Sequence, residues 1–441
     1  MNDTLKIECG DWLGPATGER DIYQATRAPI GISVGEECLT RLEDSWGNTV
    51  RNRLNASAST LARWFAGNWW RLRWEPETPS SRDDVDWRMS HSVASAGEGY
   101  CWPSILFASD GDSLAVASRM TRSPVMGPVR YLSQVTTRVT ASQFERSVDD
   151  FLSLVLARLA GEGYRTSELG ELWSVVMKER GDPKLAQCRK LEALCGYDPD
   201  EAPASMIDEL VKDTSGLGPR ALEEIAAHGR QDSCAVLEQI RPLGKLRKPG
   251  PAGIQATLPE RSSTWKNVDL GARPWRRATI IAKKARIQWG LGAGPVSDRD
   301  LATLLGTSAT AFTKTGEVRT PVPVAFRRGN GSEVNLFFHS LRLTGRRFAV
   351  GRLLGDHCSF APNERLIPET EAKTSRQQFQ RAFAQEFLCP FEALIEKIQT
   401  DHPDEEDIAQ AADHFGVSPL MVKTTLVNKG ELDRQALAWE N

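Results

Sequence analysis

The chain has 441 residues, 55 Lys+Arg against 58 Asp+Glu and a formal net charge of −3. That length suits about two to four folding units with their own cores, and 40% hydrophobic with 26% charged residues excludes a disordered or membrane-spanning class. The six histidines lie no closer than 12 positions apart and the eight cysteines form no C-x-x-C, which excludes an intact H-E-x-x-H motif, a C2H2 finger and a zinc ribbon.

Residues 1–160 are predicted to form a mixed α/β domain. The segment VRNRLNASASTLARWFAGNWW (50–70), with Leu72 beyond it, puts Leu54, Leu61, Phe65 and Leu72 at helical spacings. ILFAS (105–109) and SLAVAS (113–118) flank Asp110-Gly111-Asp112, a β-hairpin signal. FERSVDDFLSLVLARLA (144–160) reads as an amphipathic helix stopped by Gly161. Eight of the 13 tryptophans fall in the first 102 residues, and Trp64, Trp69, Trp70 and Trp74 interleave with Arg63, Arg71 and Arg73. Large aromatics at such spacing are core residues first. With HSVASAGEGYCWP (91–103) they also outline a candidate ligand pocket of Trp64, Trp69, Trp70, His91 and Trp102.

Residues 161–242 are predicted to be a helical segment, broken at Gly181-Asp182-Pro183, at 196–203 and at 215–219. Between Arg241 and Arg286 seven arginines and five lysines face Glu260 and Asp269, so this stretch carries +10 and the remainder −13. Residues 243–273 read as a basic Pro/Gly-rich linker, mobile or draped on the surface. From Pro274 a helix resumes with Ala278, Ile281, Ala285 and Trp289 along one face. Lys245, Arg247, Lys248, Arg276, Arg277, Lys283, Lys284 and Arg286 are the candidate nucleic-acid or partner-binding cations, the alternative being a solvated or internally docked face.

The last region runs helix, short helix, two strands (PVPVAF and EVNLFF) and four or five further helices. The segments 274–306, RRFAVGRLLGDH (346–357), QRAFAQEFLCP (380–390) and DIAQAADHFGVSPLMVKTTLVNKG (407–430) follow one another in an order and spacing that resembles the ImmA/IrrE-like family, with a weaker echo in CRKLEALCGYDPDEAP (188–203). The resemblance implies a zincin-like fold and zinc endopeptidase chemistry directed at helix-turn-helix repressors. Family members carry F-x-x-A-H-E-x-x-H on a helix, with two His at i and i+4 on the metal and the Glu activating its water. Aligned on Phe348 and Gly355, the chain has Arg352 and Asp356 at the two His positions and Leu353 at the Glu. The segment expected to supply the third ligand, SRQQFQR (375–381), contains no carboxylate. A permanent cation at Arg352 would repel a divalent metal. An Arg352–Asp356 ion pair across one turn is the expected replacement.

Two alternatives remain open at this point. His339, His357, Cys358, Glu364 and Glu369 supply every ligand type for a rearranged zinc site that would cleave a repressor-type protein. The C-terminal stretch also fits a helix-turn-helix, with Ala412, Gly416 and Val422 at key positions and Lys423, Thr424, Thr425, Asn428 and Lys429 offered to a groove. Asp401, Asp404, Glu405, Glu406 and Asp407 on its first helix would repel a phosphate backbone, which favours a packing role. G-x-S-x-G at 31–35 is interrupted by Pro29, and the glycine-rich 289–295 follows a helix, so neither marks a site.

The fold class expected is α+β, with an N-terminal mixed α/β domain, a helical middle segment, and a mainly helical zincin-like domain with a small sheet at 274–441. The expected function is that of a pseudo-metallopeptidase, a regulatory or scaffolding component that binds a protein partner in bacterial stress response or phage defence, without catalytic activity, metal or cofactor. A nucleic-acid-binding regulator is the second reading. No basic head with an apolar run opens the chain and no stretch has the roughly 18 apolar residues of a span, so a cytoplasmic protein is expected.

Overall fold

The computed structural model describes residues 4–14, 21–78, 84–122, 127–250, 253–262, 265, 268, 273–313, 319–329, 331–360, 364–400 and 402–437. It is an α+β protein of two compact units, Met1–Asp208 with Ala372–Thr374, and Glu209–Glu371 with Ser375–Asn441.

Unit 1 runs β1 (Leu5–Cys9), α1 (Ile22–Ala25), β2 (Arg27–Val34), β3 (Glu37–Cys38), β4 (Leu42–Asp44), β5 (Thr49–Arg51), β6 (Leu54–Ser57), α2 (Ala58–Gly67), α3 (Trp69–Trp74), α4 (Val85–His91), β7 (Ser104–Ser109), β8 (Ser113–Arg119), β9 (Val129–Tyr131), β10 (Thr136–Thr140), α5 (Ala141–Gly161), α6 (Glu168–Gly181) and α7 (Pro183–Leu194). Three small antiparallel sheets form around one core. The β7–β8 hairpin falls where the Asp-Gly-Asp signal puts it, with alternate residues buried. α5 opens with a Thr140/Gln143 capping box. Leu54 departs from expectation. It lies in β6, because residues 54–57 pair with β2 (Arg27↔Ser57 to Ile30↔Leu54), and the helix begins only at Ala58. Cross-strand pairing here overrides a spacing match that rested on one residue.

Residues 161–242 are helical, but their helices divide between the two units. Leu169, Trp173 and Val176 of α6 join the unit 1 core, and the unit boundary falls inside α8 (Ala204–Leu217). Amphipathic helices bury their apolar faces both on neighbouring helices, as α6 on α7, and on the nearest core.

Unit 2 continues with α9 (Pro219–Gly229), α10 (Ser233–Lys245), β11 (Gly253–Thr257), α11 (Pro274–Gln288), α12 (Asp298–Leu304), α13 (Ala309–Thr313), β12 (Val324–Arg328), β13 (Glu333–Phe337), α14 (Leu343–Ser359), β14 (Leu366–Pro368), α15 (Ser375–Leu388), α16 (Phe391–Ile398), α17 (Glu405–Phe415) and α18 (Pro419–Lys429). Its antiparallel sheet has the order β11-β13-β12-β14. The expected linker therefore contributes a strand, β11. Beyond it Pro259 O accepts from His357 Nε2 (2.9 Å), and Arg261 donates to the carbonyls of His357 and Phe360, so this part of the segment is draped on unit 2.

α11, α14 and α15 form the helical core, in which Ala278, Ile281, Leu353, Phe379, Phe383 and Phe387 are fully buried. α14 and α15 approach closely through Gly351 and Gly355. A Cβ at Gly351 would lie 2.9 Å from Ala384, and one at Gly355 2.8 Å from the Phe383 ring. Two glycines at i and i+4 thus set the backbone separation at which the polar residues of both helices meet.

Candidate functional site

Arg352 and Asp356 lie on the α14 face turned to α15, one turn apart as predicted, and both are buried at 3% and 1% exposure. They do not form the expected ion pair with each other. Asp356 is clamped bidentately by Arg376, with Nε at 2.7 Å from Oδ2 and Nη2 at 3.1 Å from Oδ1, and accepts a third bond from Gln380 Nε2 (2.8 Å). Arg352 donates instead to Thr370 O (2.7 Å), to Gln377 Oε1 and, at 3.4 Å, to Gln380 Oε1. A guanidinium reaching across from α15 meets the carboxylate in fork geometry, which a side chain on the same helix cannot match. Leu353, which the sequence resemblance aligns with a general base, is fully buried in the apolar core.

The network extends through Arg376, whose Nη1 donates to Glu364 Oε2 (2.8 Å), while Glu364 Oε1 accepts from the Arg220 backbone N–H (2.8 Å). Burial lowers the pKa of Arg352 from its ordinary value, opposed by Glu369 and Glu371. Glu369, 1% exposed, has neither carboxylate oxygen hydrogen-bonded. Burial pushes its carboxyl up to about 8 despite the charge of Arg352.

Arg352, Leu353 and Asp356 do not fit a divalent metal. One is a cation, one an alkyl chain, and the carboxylate is already neutralised by a second guanidinium. Nor does the rearranged set converge. His339 is exposed with Nδ1 on Thr320 O (2.6 Å), buried His357 is held on Pro259 and pushed down to about 4 by burial, Cys358 is raised by burial, and Glu364 is taken by Arg376 and Arg220. Among the described residues no group of three or more His, Cys, Asp or Glu is placed to hold a metal.

The predicted basic residues separate into different environments. Arg286 is buried and donates to the carbonyls of Phe387, Gly292 and Gly294, so it is a structural clamp and not a binding cation. Lys283 pairs with Glu392 at 2.8 Å, Arg277 lies over the Phe379 ring, and Lys248 and Lys284 are exposed. Arg276 joins Arg273, Arg381 and Lys429 around a cleft of about 930 Å3 between α11, α15 and α18. Lys245 and Arg247 join Arg328 and Arg365 at a second cavity of about 600 Å3. Of the candidate recognition helix, Lys423 is buried and salt-bridged to Glu405 (2.9 Å) and Thr425 is buried, while Asn428 and Lys429 remain exposed. Gly416, at φ +62°, makes the turn before it and leaves room for the Arg347 guanidinium, which a Cβ would meet at 3.1 Å. Asp401 of the acidic helix start lies outside the described residues.

In unit 1 the candidate pocket is core. Trp64, Trp69, Trp70, His91 and Trp102 are all less than 8% exposed. Trp64 Nε1 donates to Met89 O, Trp70 Nε1 to Glu179 and Trp102 Nε1 to Gly97 O, while Trp69 packs edge-on to Trp70 and under Arg180. His91 stacks on Trp87 at 4.2 Å, holds Phe107 O through Nδ1 (2.9 Å) and meets Glu75 Oε2 through Nε2 (3.0 Å). Arg71 bonds the same Glu75 oxygen at 2.7 Å and Asp86 at 2.8 Å. Burial alone would raise the Glu75 carboxyl, but the hydrogen bonds and charges of His91 and Arg71 outweigh it and hold the group at about 2.

Sequence reasoning missed Arg376, Gln377 and Gln380. Their signal was present as polar residues at i, i+1 and i+4 on a helix otherwise built of Phe379, Phe383 and Phe387. It also missed Arg328, Asn335 and Arg365, which share no sequence neighbourhood with Lys245 and Arg247. Comparison of the chain with known protein families, with curated proteins and with solved structures finds no match.

Proposed function

We propose that the chain is a catalytically degenerate ImmA/IrrE-like protein, a regulatory or scaffolding component of a bacterial stress-response or phage-defence circuit that acts by binding a protein partner. The reading rests on the closed unit at the vacated positions, where Arg376 and Gln380 consume the Asp356 carboxylate and Arg352 is spent on Thr370 and Gln377. Such a site offers no negative charge for a metal and no base for its water. The edge strand β14 is buried with α9 in contact with it, which disfavours addition of a partner strand at that edge. The test is zinc titration of chelator-free protein beside a cleavage assay on a helix-turn-helix repressor, and crosslinking of the full chain in its own cells. The expected result is no stoichiometric zinc, no cleavage and a defined protein complex. One equivalent of zinc with chelator-sensitive cleavage would overturn the proposal.

A nucleic-acid-binding role is favoured by one observation, the cleft that brings Arg273 and Arg276 together with Arg381, Asn428 and Lys429. Four cations there face one carboxylate, Glu386, which burial raises. On this reading DNA binding weakens steeply between 50 and 200 mM salt, roughly in proportion to the phosphates neutralised. R276E/K429E would abolish it, and binding indifferent to salt or to that variant would exclude the role.

A further inference from the structure

The second cavity lies on another part of unit 2 and adjoins the α14–α15 network at Glu364. α10 ends against the sheet face that carries Phe326, Arg328 and Asn335. Phe326 and Arg328 are alternate residues of β12, and Asn335 is the cross-strand partner of Phe326. Gly244 lets the helix end sit directly on the Phe326 ring, since a Cβ there would be 2.7 Å from it. The space left beside this contact is about 600 Å3, within the size range of a small-molecule site.

Its lining is strongly one-signed. Lys245, Arg247, Arg327, Arg328 and Arg365 stand against a single carboxylate, Glu364, whose two oxygens are already taken by Arg376 and the Arg220 N–H. Arg328 and Arg365 each spend one nitrogen on the last carbonyls of α10, at Leu246 and Gly244, which cancels the negative end of that helix. Lys245 and Arg247 form no ion pair with any described residue. Five cations lining one cavity beside a single, already paired carboxylate repel one another, and an anion that entered would relieve that repulsion. The floor adds a second feature. Asn335 is 1% exposed and donates from Nδ2 to Leu246 O (3.0 Å), but its Oδ1 has no hydrogen-bond partner. A buried acceptor without a donor is an unmet demand that a ligand can satisfy.

We propose that this cavity binds a nucleoside polyphosphate, its phosphates on Lys245, Arg247, Arg328 and Arg365 and an amino or hydroxyl donor of the nucleoside on Asn335 Oδ1. The multiple charges match the cations, and the polar donor at an otherwise apolar end matches Asn335 beside Phe326.

The test is isothermal titration of the full chain with inorganic tripolyphosphate and with each of the four common ribonucleoside triphosphates, at low salt and without divalent metal. The expected result is saturable one-to-one binding, with at least one nucleotide tighter than tripolyphosphate. K245E/R247E, both at exposed positions, should weaken both probes at least tenfold, and R365E supplies an independent surface variant should the first fold poorly. N335L should remove the advantage of the nucleotide over tripolyphosphate. No saturable binding, binding unchanged in both surface variants, or an oligonucleotide that takes the site more tightly than any triphosphate would each overturn the proposal.

Discussion

Glu369 provides the most quantitative check on the buried polar cluster of unit 2. Its carboxyl sits at about 8 in the folded protein against an ordinary value of 4.5, because it is buried and its two oxygens have no hydrogen-bond partner. A carboxyl raised in this way favours the folded state fully only below its unfolded value, and the stability is lost as pH rises from 4.5 toward 8. Linkage between those two values puts the cost at about 1 kcal/mol at pH 5, about 3 at pH 7 and about 5 at pH 9. Glu369→Gln keeps the shape and removes the titration, so wild type should lose about 4 kcal/mol relative to the variant between pH 5 and pH 9. Urea unfolding at pH 5, 7 and 9, followed through hydrogen exchange of α14 and α15 amides, reports this on unit 2 alone. A difference between the two proteins that stays constant across that range would refute the reasoning, since it would mean that Glu369 titrates near its ordinary value.

The other predictions concern packing and pairing. Asp356→Asn leaves Arg376 buried with only Glu364 opposite and should destabilise unit 2 by about 3 kcal/mol or more, and Asp356→Leu with Arg376→Met should recover most of that loss in a double-mutant cycle read by urea unfolding. Gly355→Ala drives a methyl into the Phe383 ring and should cost about 1–3 kcal/mol of unit 2 stability by the same measurement. In unit 1 the Glu75 carboxyl is held below its unfolded value. It therefore contributes stability above pH 4.5 that is lost as pH falls toward about 2, on the order of 3 kcal/mol in all. Glu75→Gln should remove that acid limb from the unfolding of unit 1 as monitored by tryptophan fluorescence.

Local signals determined a good deal of this protein. The Asp110-Gly111-Asp112 hairpin, the helix over 144–160, the helix from Pro274 and the turn at Gly416 were all legible, because each depends on backbone conformation or on periodicity within a dozen residues. The burial of Trp64, Trp69 and Trp70 was legible for the same reason, as helical spacing with an apolar face leaves them few other places. That Arg352 and Asp356 share one helix face followed from i, i+4 geometry. What Asp356 binds was not legible. Arg352 is four residues away and Arg376 is twenty, and the choice between them was made by the separation of α14 and α15, which Gly351 and Gly355 set against Ala384 and Phe383. The same holds for the charges. The sequence determined that residues 241–286 carry +10, yet tertiary structure dispersed them, burying Arg286 among carbonyls, pairing Lys283 and grouping Lys245 and Arg247 with Arg328 and Arg365 from another part of the chain. Charge and periodicity are additive along a chain and can be read there, whereas partner choice depends on distances between elements that only the packed core decides.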